Sequence, residues 1–192
     1  FWLKLTEHIN MGSWLSQLKV TLCFGAPPSK EFRMLLLGLD SAGKTTILRR
    51  LTTGEKQSTK PTIGFTIETI QFDNLHFYIW DVGGQEKLRA LWRRYYVGTQ
   101  GIIFVVDAAD IDRLPIAKEE IHELMHEYEL QYAVMAILAN KQDLDAYNKH
   151  QLSKELELSK LGKKYQVFET CATTGEGLDS VMNWLSRNME EI

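Results

Sequence analysis

Residues 38–45 read Gly38-Leu39-Asp40-Ser41-Ala42-Gly43-Lys44-Thr45, a stretch of the form GxxxxGK[ST]. It follows a short apolar run, residues 32–38, and opens a helix-forming stretch, residues 44–51. Between a strand and a helix, this pattern predicts a loop whose backbone N–H groups converge on phosphate oxygens at the helix N-terminus. A glycine-rich turn with an incidental lysine is the alternative, which the strand–loop–helix context disfavours.

The individual roles within this loop follow from the chemistry of each side chain. The Lys44 ammonium is placed to reach the β- and γ-phosphates of a bound nucleotide, and the Thr45 hydroxyl to ligate Mg²⁺. The predicted nucleotide-contacting residues of the loop and helix start are Gly38, Leu39, Asp40, Ser41, Ala42, Gly43, Lys44, Thr45 and Thr46.

The rest of the chain alternates strand-like and helix-like segments. Predicted strands cover residues 32–38, 65–72, 76–81, 101–106, 134–139 and 165–169, and predicted helices cover residues 44–51, 116–128, 148–156 and 178–189. The turn-type dipeptide Asp73-Asn74 predicts a hairpin between the second and third strands. Such alternation predicts one α/β domain over residues 29–192, with a mostly parallel sheet, helices on both faces and ligands at the carboxyl ends of the strands.

The composition of the chain disfavours several classes of protein. The 192 residues carry a net charge of −3, which disfavours a nucleic-acid binder because phosphate neutralisation needs a concentrated basic surface. No run of about 18 apolar residues is present, so no bilayer-spanning helix is predicted. Cys23 and Cys171 have no metal-type spacing, and two free thiols are favoured over a disulfide.

The base of the nucleotide is indicated by Asn140-Lys141-Gln142-Asp143, directly after the predicted strand 134–139. A carboxylate such as that of Asp143 accepts hydrogen bonds from the ring N–H and the exocyclic amine of guanine, whereas adenine offers no such donor pair. The Lys141 stem then covers the base plane and Asn140 ties the loops together. Alone, this tetrapeptide is as readily a polar loop; in order behind the phosphate loop, it predicts guanine.

A hydrolytic site is indicated by Asp81-Val82-Gly83-Gly84-Gln85 at the end of a predicted strand. Asp81 takes the position of a carboxylate that holds Mg²⁺ through water, and Gly84 offers a backbone N–H to the γ-phosphate. Gln85 is placed to orient the attacking water, so Gln85 and Lys44 are the predicted catalytic residues. A Gly-Gly turn that closes a strand is the alternative.

Thr62 extends this site into the loop before the second strand. A hydroxyl there completes the Mg²⁺ shell only when γ-phosphate is present, which would make the loop a sensor of the third phosphate. The predicted metal ligands are therefore Thr45, Thr62 and Asp81. We assign no arginine of the chain as a built-in catalytic arginine and expect slow hydrolysis.

Together these motifs closely resemble the ADP-ribosylation factor (Arf) and Arf-like branch of small GTPases. The resemblance rests on GLDSAGKTT, PTIGF, WDVGGQEKLRALWRRYY, NKQD and Cys171-Ala172-Thr173, in order from about residue 11 to the C-terminus. It implies a six-stranded P-loop small G-protein fold with five helices, a base pocket lined by Cys171, Ala172 and Thr173, and no nucleic-acid partner. Ala90, where many members carry proline, leans toward an Arf-like or divergent lineage.

The resemblance also implies partners and a place in the cell. It implies a GTP/GDP cycle driven by an exchange factor and an activating protein, and effector recruitment in vesicle trafficking at Golgi or other endomembranes. The aromatics Phe65, Trp80 and Tyr95 would be core residues by sequence alone, but the resemblance implies that they contact effectors. Two rivals remain as alternatives: a non-hydrolysing, nucleotide-dependent membrane-recruitment scaffold, and an ATP-dependent P-loop kinase, which NKQD disfavours.

The N-terminal region carries a membrane signal. Residues 1–10 are interpreted as a leader or an artificial extension, and residues 11–28 as an amphipathic helix and linker with an apolar face of Trp14, Leu15, Leu18 and Leu22. The stretch Met11-Gly12-Ser13-Trp14-Leu15-Ser16 matches the N-myristoylation pattern on Gly12, although with residues 1–10 attached Gly12 is internal and no acceptor. A single acyl chain anchors marginally, so the helix would supply the second signal for a cytoplasmic, reversibly membrane-associated protein. The alternative is a helix that packs on the core, and the resemblance implies both states.

Overall fold

The computed structural model describes residues 30–54, 62, 64–73, 75–162 and 164–189. The predicted amphipathic helix, Gly12, Cys23 and the predicted leader, residues 1–10, lie outside the described residues. The strands are β1 (Lys30–Leu37), β2 (Phe65–Phe72), β3 (Leu75–Val82), β4 (Gly101–Asp107), β5 (Val134–Asn140) and β6 (Tyr165–Glu169). The α-helices are α1 (Lys44–Thr53), α2 (Glu86–Arg89), α3 (Leu114–His126), α4 (Lys149–Glu155) and α5 (Leu178–Met189).

The six strands form one sheet in the order β2-β3-β1-β4-β5-β6. β2 pairs antiparallel with β3, in the predicted hairpin, and all other pairs are parallel. β4 and β5 are apolar almost throughout because a parallel strand in the middle of the sheet is covered on both faces. The predicted six-stranded, mostly parallel sheet is therefore confirmed.

The hydrophobic core lies on both faces of this sheet. On β1, Leu35 and Leu37 belong to a cluster with α3 and α4, whereas Met34 and Leu36 belong to a cluster with α1 and α5. This follows from the period of two along a strand, which sends alternate side chains to opposite faces. Helices therefore cover both faces, as predicted. In the part of the chain that the structure describes, no helix is long and apolar enough to cross a bilayer.

The predicted elements agree with the observed ones to within two residues at each end. The start of α4 has a clear cause: the side chain of Asn148 accepts from the backbone N–H of Gln151, whose own side chain accepts from the Asn148 N–H. The short α2 and the 3₁₀ helix Trp92–Tyr95 were not predicted, nor were three further 3₁₀ helices of three residues each. Each has at most four residues, too few to show a helical period.

Candidate functional site

The loops that follow β1, β3, β5 and β6 meet at one edge of the sheet, because the carboxyl ends of parallel strands lie together. They enclose a cleft of about 440 Å³, a volume usual for small-molecule sites. The cleft is lined by Asp40, Ser41, Gly43, Lys44, Thr45, Thr46, Thr62, Gly84, Gln85, Asn140, Lys141, Asp143, Leu144, Ala172 and Thr173. Residues from all the sequence motifs therefore lie around a single cavity.

The glycines of the loop after β1 are required by its path. Gly38 has a φ of 135° and Gly43 a φ of 101°, values that side chains disfavour. A Cβ atom would lie 2.2 Å from the Val105 carbonyl oxygen at Gly38, and 2.4 Å from Asn140 Nδ2 at Gly43. The loop is thus packed against β4 on one side and against the loop after β5 on the other.

Lys44 lies folded across this loop. Its Nζ donates to the carbonyl oxygens of Gly38 and Leu39, at 2.8 Å each, and the residue is only 6% exposed. Burial lowers the pKa of the Lys44 ammonium to about 8, although Asp81 and Asp40 favour its charged form. A buried cation that has only carbonyl partners is suited to receive an anion from the cleft.

Three oxygen-bearing side chains meet beside Lys44. Thr45 Oγ1 donates to Asp81 Oδ2 at 2.7 Å and lies 2.9 Å from Thr62 Oγ1, which is 3.3 Å from the same carboxylate oxygen. Asp81 is fully buried, burial raises its pKa, and its Oδ1 has no hydrogen-bond partner among the described residues. Hydroxyl and carboxylate oxygens, one of them unsatisfied, are the hard donors that Mg²⁺ prefers, so this group fits a magnesium site.

The turn after β3 is wedged between two loops. The Gly84 carbonyl accepts from the Asp40 N–H at 3.1 Å, and the Gly83 N–H donates to the Gly64 carbonyl at 3.0 Å. Trp92, buried beneath the turn, donates its Nε1–H to the Gly83 carbonyl at 3.0 Å. Gln85 lies directly before α2, at its N-cap, and is exposed at the cleft.

At the end of β5, Asn140 joins three segments. Its Nδ2 donates to the Ala42 carbonyl at 2.8 Å, and its Oδ1 accepts from the Ala172 N–H at 3.0 Å and from the Thr170 hydroxyl at 3.3 Å. The side chain is fully buried. The structure thus contains the contacts between loops that were expected of Asn140.

The neighbouring residues of this loop point toward the cleft. Lys141 adopts a left-handed backbone conformation, with a φ of 68°, and its Nζ lies 2.5 Å from Asp107 Oδ2. Asp143 is exposed, and its Oδ2 accepts a hydrogen bond from Thr173 Oγ1 at 3.2 Å. A cleft lined by both an exposed carboxylate and a buried ammonium suits a ligand with a donor edge and an anionic tail.

A sequence model of the ADP-ribosylation factor family matches residues 18–189 of this chain. The chain belongs to the ADP-ribosylation factor (Arf) family. This Arf-family chain is 50% identical over 164 residues to ADP-ribosylation factor 1 of Brassica rapa subsp. pekinensis and to ADP-ribosylation factor 3 of Arabidopsis thaliana, a match covering 84% of this chain and 90% of each relative.

A solved structure supports the same assignment. The Arl6 BBS3 small GTPase from Trypanosoma brucei, with the bound nucleotide analogue GppNp, superposes with a TM-score of 0.79 at 28% identity. The match covers 84% of this chain and 99% of that one. The predicted small G-protein fold and the resemblance to Arf proteins are thus confirmed, and proteins of this family typically act with exchange factors, activating proteins and effectors.

Some site residues expected in the Arf-family chain lie behind the cleft. Cys171 is 2% exposed, and its Sγ contacts the Thr173 hydroxyl at 3.0 Å, so it supports the loop instead of lining the cleft. Leu39 and Ala42 are also buried, which leaves only their backbone groups to face a ligand. Cys171 forms no disulfide with any described residue.

Sequence reasoning also missed two residues of the site. Leu144 lines the cleft directly after the Asn140–Asp143 motif, and that adjacency was the available signal. Asp107 pairs with Lys141, and its position at the end of β4, on the same edge as the other motifs, could have indicated it.

The three aromatics that the Arf resemblance singled out form one patch. The ring centroids of Phe65, Trp80 and Tyr95 lie 5.2–5.6 Å apart, and the Arg33 guanidinium carbon lies 4.2 Å from the Trp80 ring centroid. Phe65 is 45% exposed and the other two are half-buried. These rings support one another at the surface, so the assignment to the core from sequence alone is wrong for Phe65.

A steric prediction follows for the turn in this Arf-family chain. An added Cβ at Gly84 would lie 2.2 Å from the Gly38 carbonyl oxygen and 2.5 Å from Lys44 Nζ, atoms with little room to move. We expect Gly84→Ala to lower the free energy of unfolding by about 1–3 kcal/mol, as overpacking does, and to displace the turn. Denaturant unfolding measures this. Gly162→Ala, where an added Cβ meets nothing within 4 Å, is the control, and equal stability of the two variants would contradict the prediction.

Proposed function

We propose that this Arf-family chain is a guanine-nucleotide switch that binds GTP or GDP with Mg²⁺ and hydrolyses GTP slowly. The observation that carries the proposal is that one cleft is lined both by the exposed Asp143 carboxylate and by the buried Lys44 ammonium, together with Thr45 and Thr62, whose hydroxyls contact Asp81. This polarity matches a nucleotide, whose base presents hydrogen-bond donors and whose phosphates are anionic.

Base recognition is assigned to Asp143. Its exposed carboxylate accepts two hydrogen bonds from the guanine edge, while Lys141, held by Asp107, covers the base plane. The contact from Thr173 Oγ1 keeps the carboxylate oriented before the base arrives. Since adenine has no matching donor pair, its nucleotides leave the carboxylate unpaired and are rejected.

Phosphate binding is assigned to the glycine loop and Lys44. A phosphate in the cleft replaces the carbonyl partners of Lys44 and favours its charged form. Thr45, Thr62 and Asp81 are the residues that would hold Mg²⁺, which neutralises phosphate charge when bound. Because Thr62 comes from a different loop than Thr45, its contact makes the site responsive to the third phosphate.

Hydrolysis is assigned to Gln85, with Lys44 stabilising the transition state. Gln85 orients a water whose oxygen attacks the γ-phosphorus in line, as the bond between that phosphorus and the oxygen bridging to the β-phosphate breaks. Lys44 stabilises the charge that develops on the departing GDP. Three arginines near the cleft are engaged elsewhere: Arg50 with backbone carbonyls, Arg89 with Glu120, and Arg113 with Asp110 and Asp40.

The bonding of these three arginines to other groups of the protein supports slow GTP hydrolysis by the chain itself. An arginine supplied by an activating protein would then accelerate hydrolysis by about 10³–10⁵-fold. An exchange factor would reload the site with GTP, and effectors would dock on the aromatic patch of Phe65, Trp80 and Tyr95. The patch combines an exposed ring with two half-buried ones, a composition common at protein interfaces.

We extend the proposal to the membrane on sequence evidence. Residues 11–28 supply an amphipathic helix and linker, and Gly12 supplies a myristoylation acceptor once it becomes N-terminal. The protein would then be cytoplasmic and reversibly membrane-associated, at Golgi or other endomembranes, in vesicle trafficking. Residues 1–10 remain assigned as a leader or extension and residues 29–192 as the GTPase domain.

The test of the proposal is binding and turnover with purified protein. We expect GTP and GDP to bind in the presence of Mg²⁺, ATP to compete poorly, and GTP-loaded protein to release inorganic phosphate slowly. A protein that holds GTP without releasing phosphate is the non-hydrolysing scaffold, an alternative that the exposed Gln85 beside the cleft disfavours. Equal competition by ATP would refute guanine recognition.

A further prediction concerns the magnesium ligands. We expect Mg²⁺ chelation to accelerate GDP dissociation from the parent chain at least about tenfold, since the two ligands share one site and strengthen each other's binding. Thr45→Ala should release GDP quickly even with Mg²⁺ and respond little to chelation. Thr52→Ala, whose hydroxyl bonds backbone carbonyls at the other end of α1, is the control and should match the parent chain. A Thr45→Ala variant with the full response to chelation would contradict the assignment.

A further inference from the structure

Arg50, near the C-terminal end of α1, donates three hydrogen bonds to backbone carbonyls. Its Nη1 donates to the Gly54 carbonyl at 2.5 Å, and its Nη2 donates to the carbonyls of Thr173 and Thr174 at 3.0 and 2.6 Å. The acceptors at positions 173 and 174 lie more than 120 residues away along the chain. One guanidinium therefore joins the end of α1 to the loop after β6.

The α1 side of this contact is rigid. Gly54 ends the helix in a left-handed conformation, with a φ of 71°, and its N–H donates to the Arg50 carbonyl at 3.0 Å. Arg50 thus receives a hydrogen bond from Gly54 through its backbone and donates one back through its side chain. This reciprocal pair fixes both the helix end and the direction of the guanidinium.

The loop side of the contact is also well defined. Gly175 has a φ of 89°, and a Cβ added there would lie 3.0 Å from Arg50 Nε, so the arginine packs on bare backbone. The Gly175 N–H donates to the Cys171 carbonyl at 2.8 Å, which closes the loop on itself. Within this loop, Thr173 carries the hydroxyl that contacts Asp143.

We propose that Arg50 is a positioning residue that fixes the base subsite relative to the phosphate subsite. The inference rests on the proposed guanine-nucleotide function. α1 begins with Lys44 and Thr45 at the phosphate end, and Arg50 attaches the other end of the same helix to the loop that orients Asp143. Asn140 already ties this loop to the phosphate loop through Ala42.

Two ties at separate points prevent the loop from pivoting about either one. Asn140 alone would leave the loop free to swing about its contact with Ala42. With Arg50 in place, the distance between the base carboxylate and the phosphate-binding lysine is set by a helix, the stiffest element available. Removing Arg50 should therefore affect both the retention of nucleotide and the quality of base recognition.

A helix cap without a binding role makes a different prediction. A residue that only caps α1 needs the Gly54 carbonyl and nothing else, and its removal would lower stability without changing which base is preferred. Base preference is therefore the deciding readout. Inosine diphosphate lacks the exocyclic amine, one of the two donors assigned to Asp143, so the ratio of GDP to inosine diphosphate affinity reports the orientation of that carboxylate.

The test compares Arg50→Ala and Arg50→Lys with the parent chain. For Arg50→Ala we expect GDP to dissociate about tenfold faster, as the loss of one to two net hydrogen bonds gives, and the preference for GDP over inosine diphosphate to fall severalfold. Lysine keeps the positive charge but lacks the planar guanidinium. The GDP dissociation rate and the base preference of Arg50→Lys should therefore lie between those of Arg50→Ala and those of the parent chain. Arg187→Ala, an exposed arginine on α5, is the control and should retain the parent values.

The outcomes separate this inference from the function on which it rests. If either Arg50 variant lowers thermal stability but keeps the parent dissociation rate and base preference, Arg50 is a cap only and the inference is overturned. If Arg50→Ala does not fold, Arg50→Lys alone decides by the same two readouts. If the parent chain itself fails to prefer guanine over adenine nucleotides, the proposed function is refuted directly, whatever the variants do.

Discussion

Asp143→Asn is expected to bind GTP about 10³-fold more weakly than the parent chain and to bind xanthosine triphosphate in its place. The carboxamide presents an N–H₂ donor where the carboxylate presented an acceptor, so it faces the exocyclic amine of guanine donor to donor. Xanthine carries a carbonyl at that position and restores the pairing. The contact from Thr173 Oγ1 survives, because the amide oxygen still accepts it.

Competition binding against a labelled guanine nucleotide measures this change. The matched control is Asp145→Asn, an exposed aspartate two residues further on that does not line the cleft. It carries the same charge change and should bind GTP as the parent chain does. An Asp143→Asn variant with unaltered base preference would remove the basis for guanine recognition.

Gln85→Leu is expected to retain nucleotide binding while losing most hydrolysis stimulated by an activating protein, a fall of about 10²-fold or more. The leucine side chain cannot hydrogen-bond a water, so the nucleophile is no longer oriented. Binding survives because Gln85 is exposed at the edge of the cleft, where a substitution removes no buried contact. The free energy of unfolding should change by less than about 0.5 kcal/mol for the same reason.

Single-turnover phosphate release with an activating protein measures the loss. Glu86→Leu serves as the control, since Glu86 is the next residue along the chain, is exposed and does not line the cleft. It should keep the parent rate. A stimulated rate for Gln85→Leu equal to that of the control would show that another group orients the water.

The sheet and its helices could be predicted because their signals are local. The apolar runs of β4 and β5 mark buried strands, and the alternation of strands with helical stretches determines a parallel sheet. The location of the site then follows, since a glycine loop after β1 and polar motifs after β3 and β5 must meet at one edge. The small elements α2 and Trp92–Tyr95 could not be predicted, because four residues are too few to show a helical period of apolar residues.

The contacts that brace the site could not be predicted because they are non-local. Arg50 reaches Thr173, Arg113 reaches the Asp40 carbonyl at 3.2 Å, and Arg89 forms a half-buried ion pair with Glu120 at 2.7 Å. Only the packing of the sheet brings their partners within reach.

The burial of motif residues was equally beyond the sequence. Cys171 was expected to line the base pocket, yet it lies beneath the loop against Thr173. A three-residue motif indicates which residues belong to a loop, but it does not predict which of their side chains are buried beneath that loop. The backbone hydrogen bond from the Gly175 N–H to the Cys171 carbonyl closes the loop in which the buried thiol lies.

The most direct test of the switch is to load the full chain with GTP in Mg²⁺, remove free nucleotide, and identify the bound nucleotide over time. We expect GTP to be retained, to convert slowly to GDP in a single exponential, and GDP to stay bound. A parallel loading with ATP should retain almost none. Equal retention of ATP, or GTP that remains unconverted with and without an activating protein, would contradict the account.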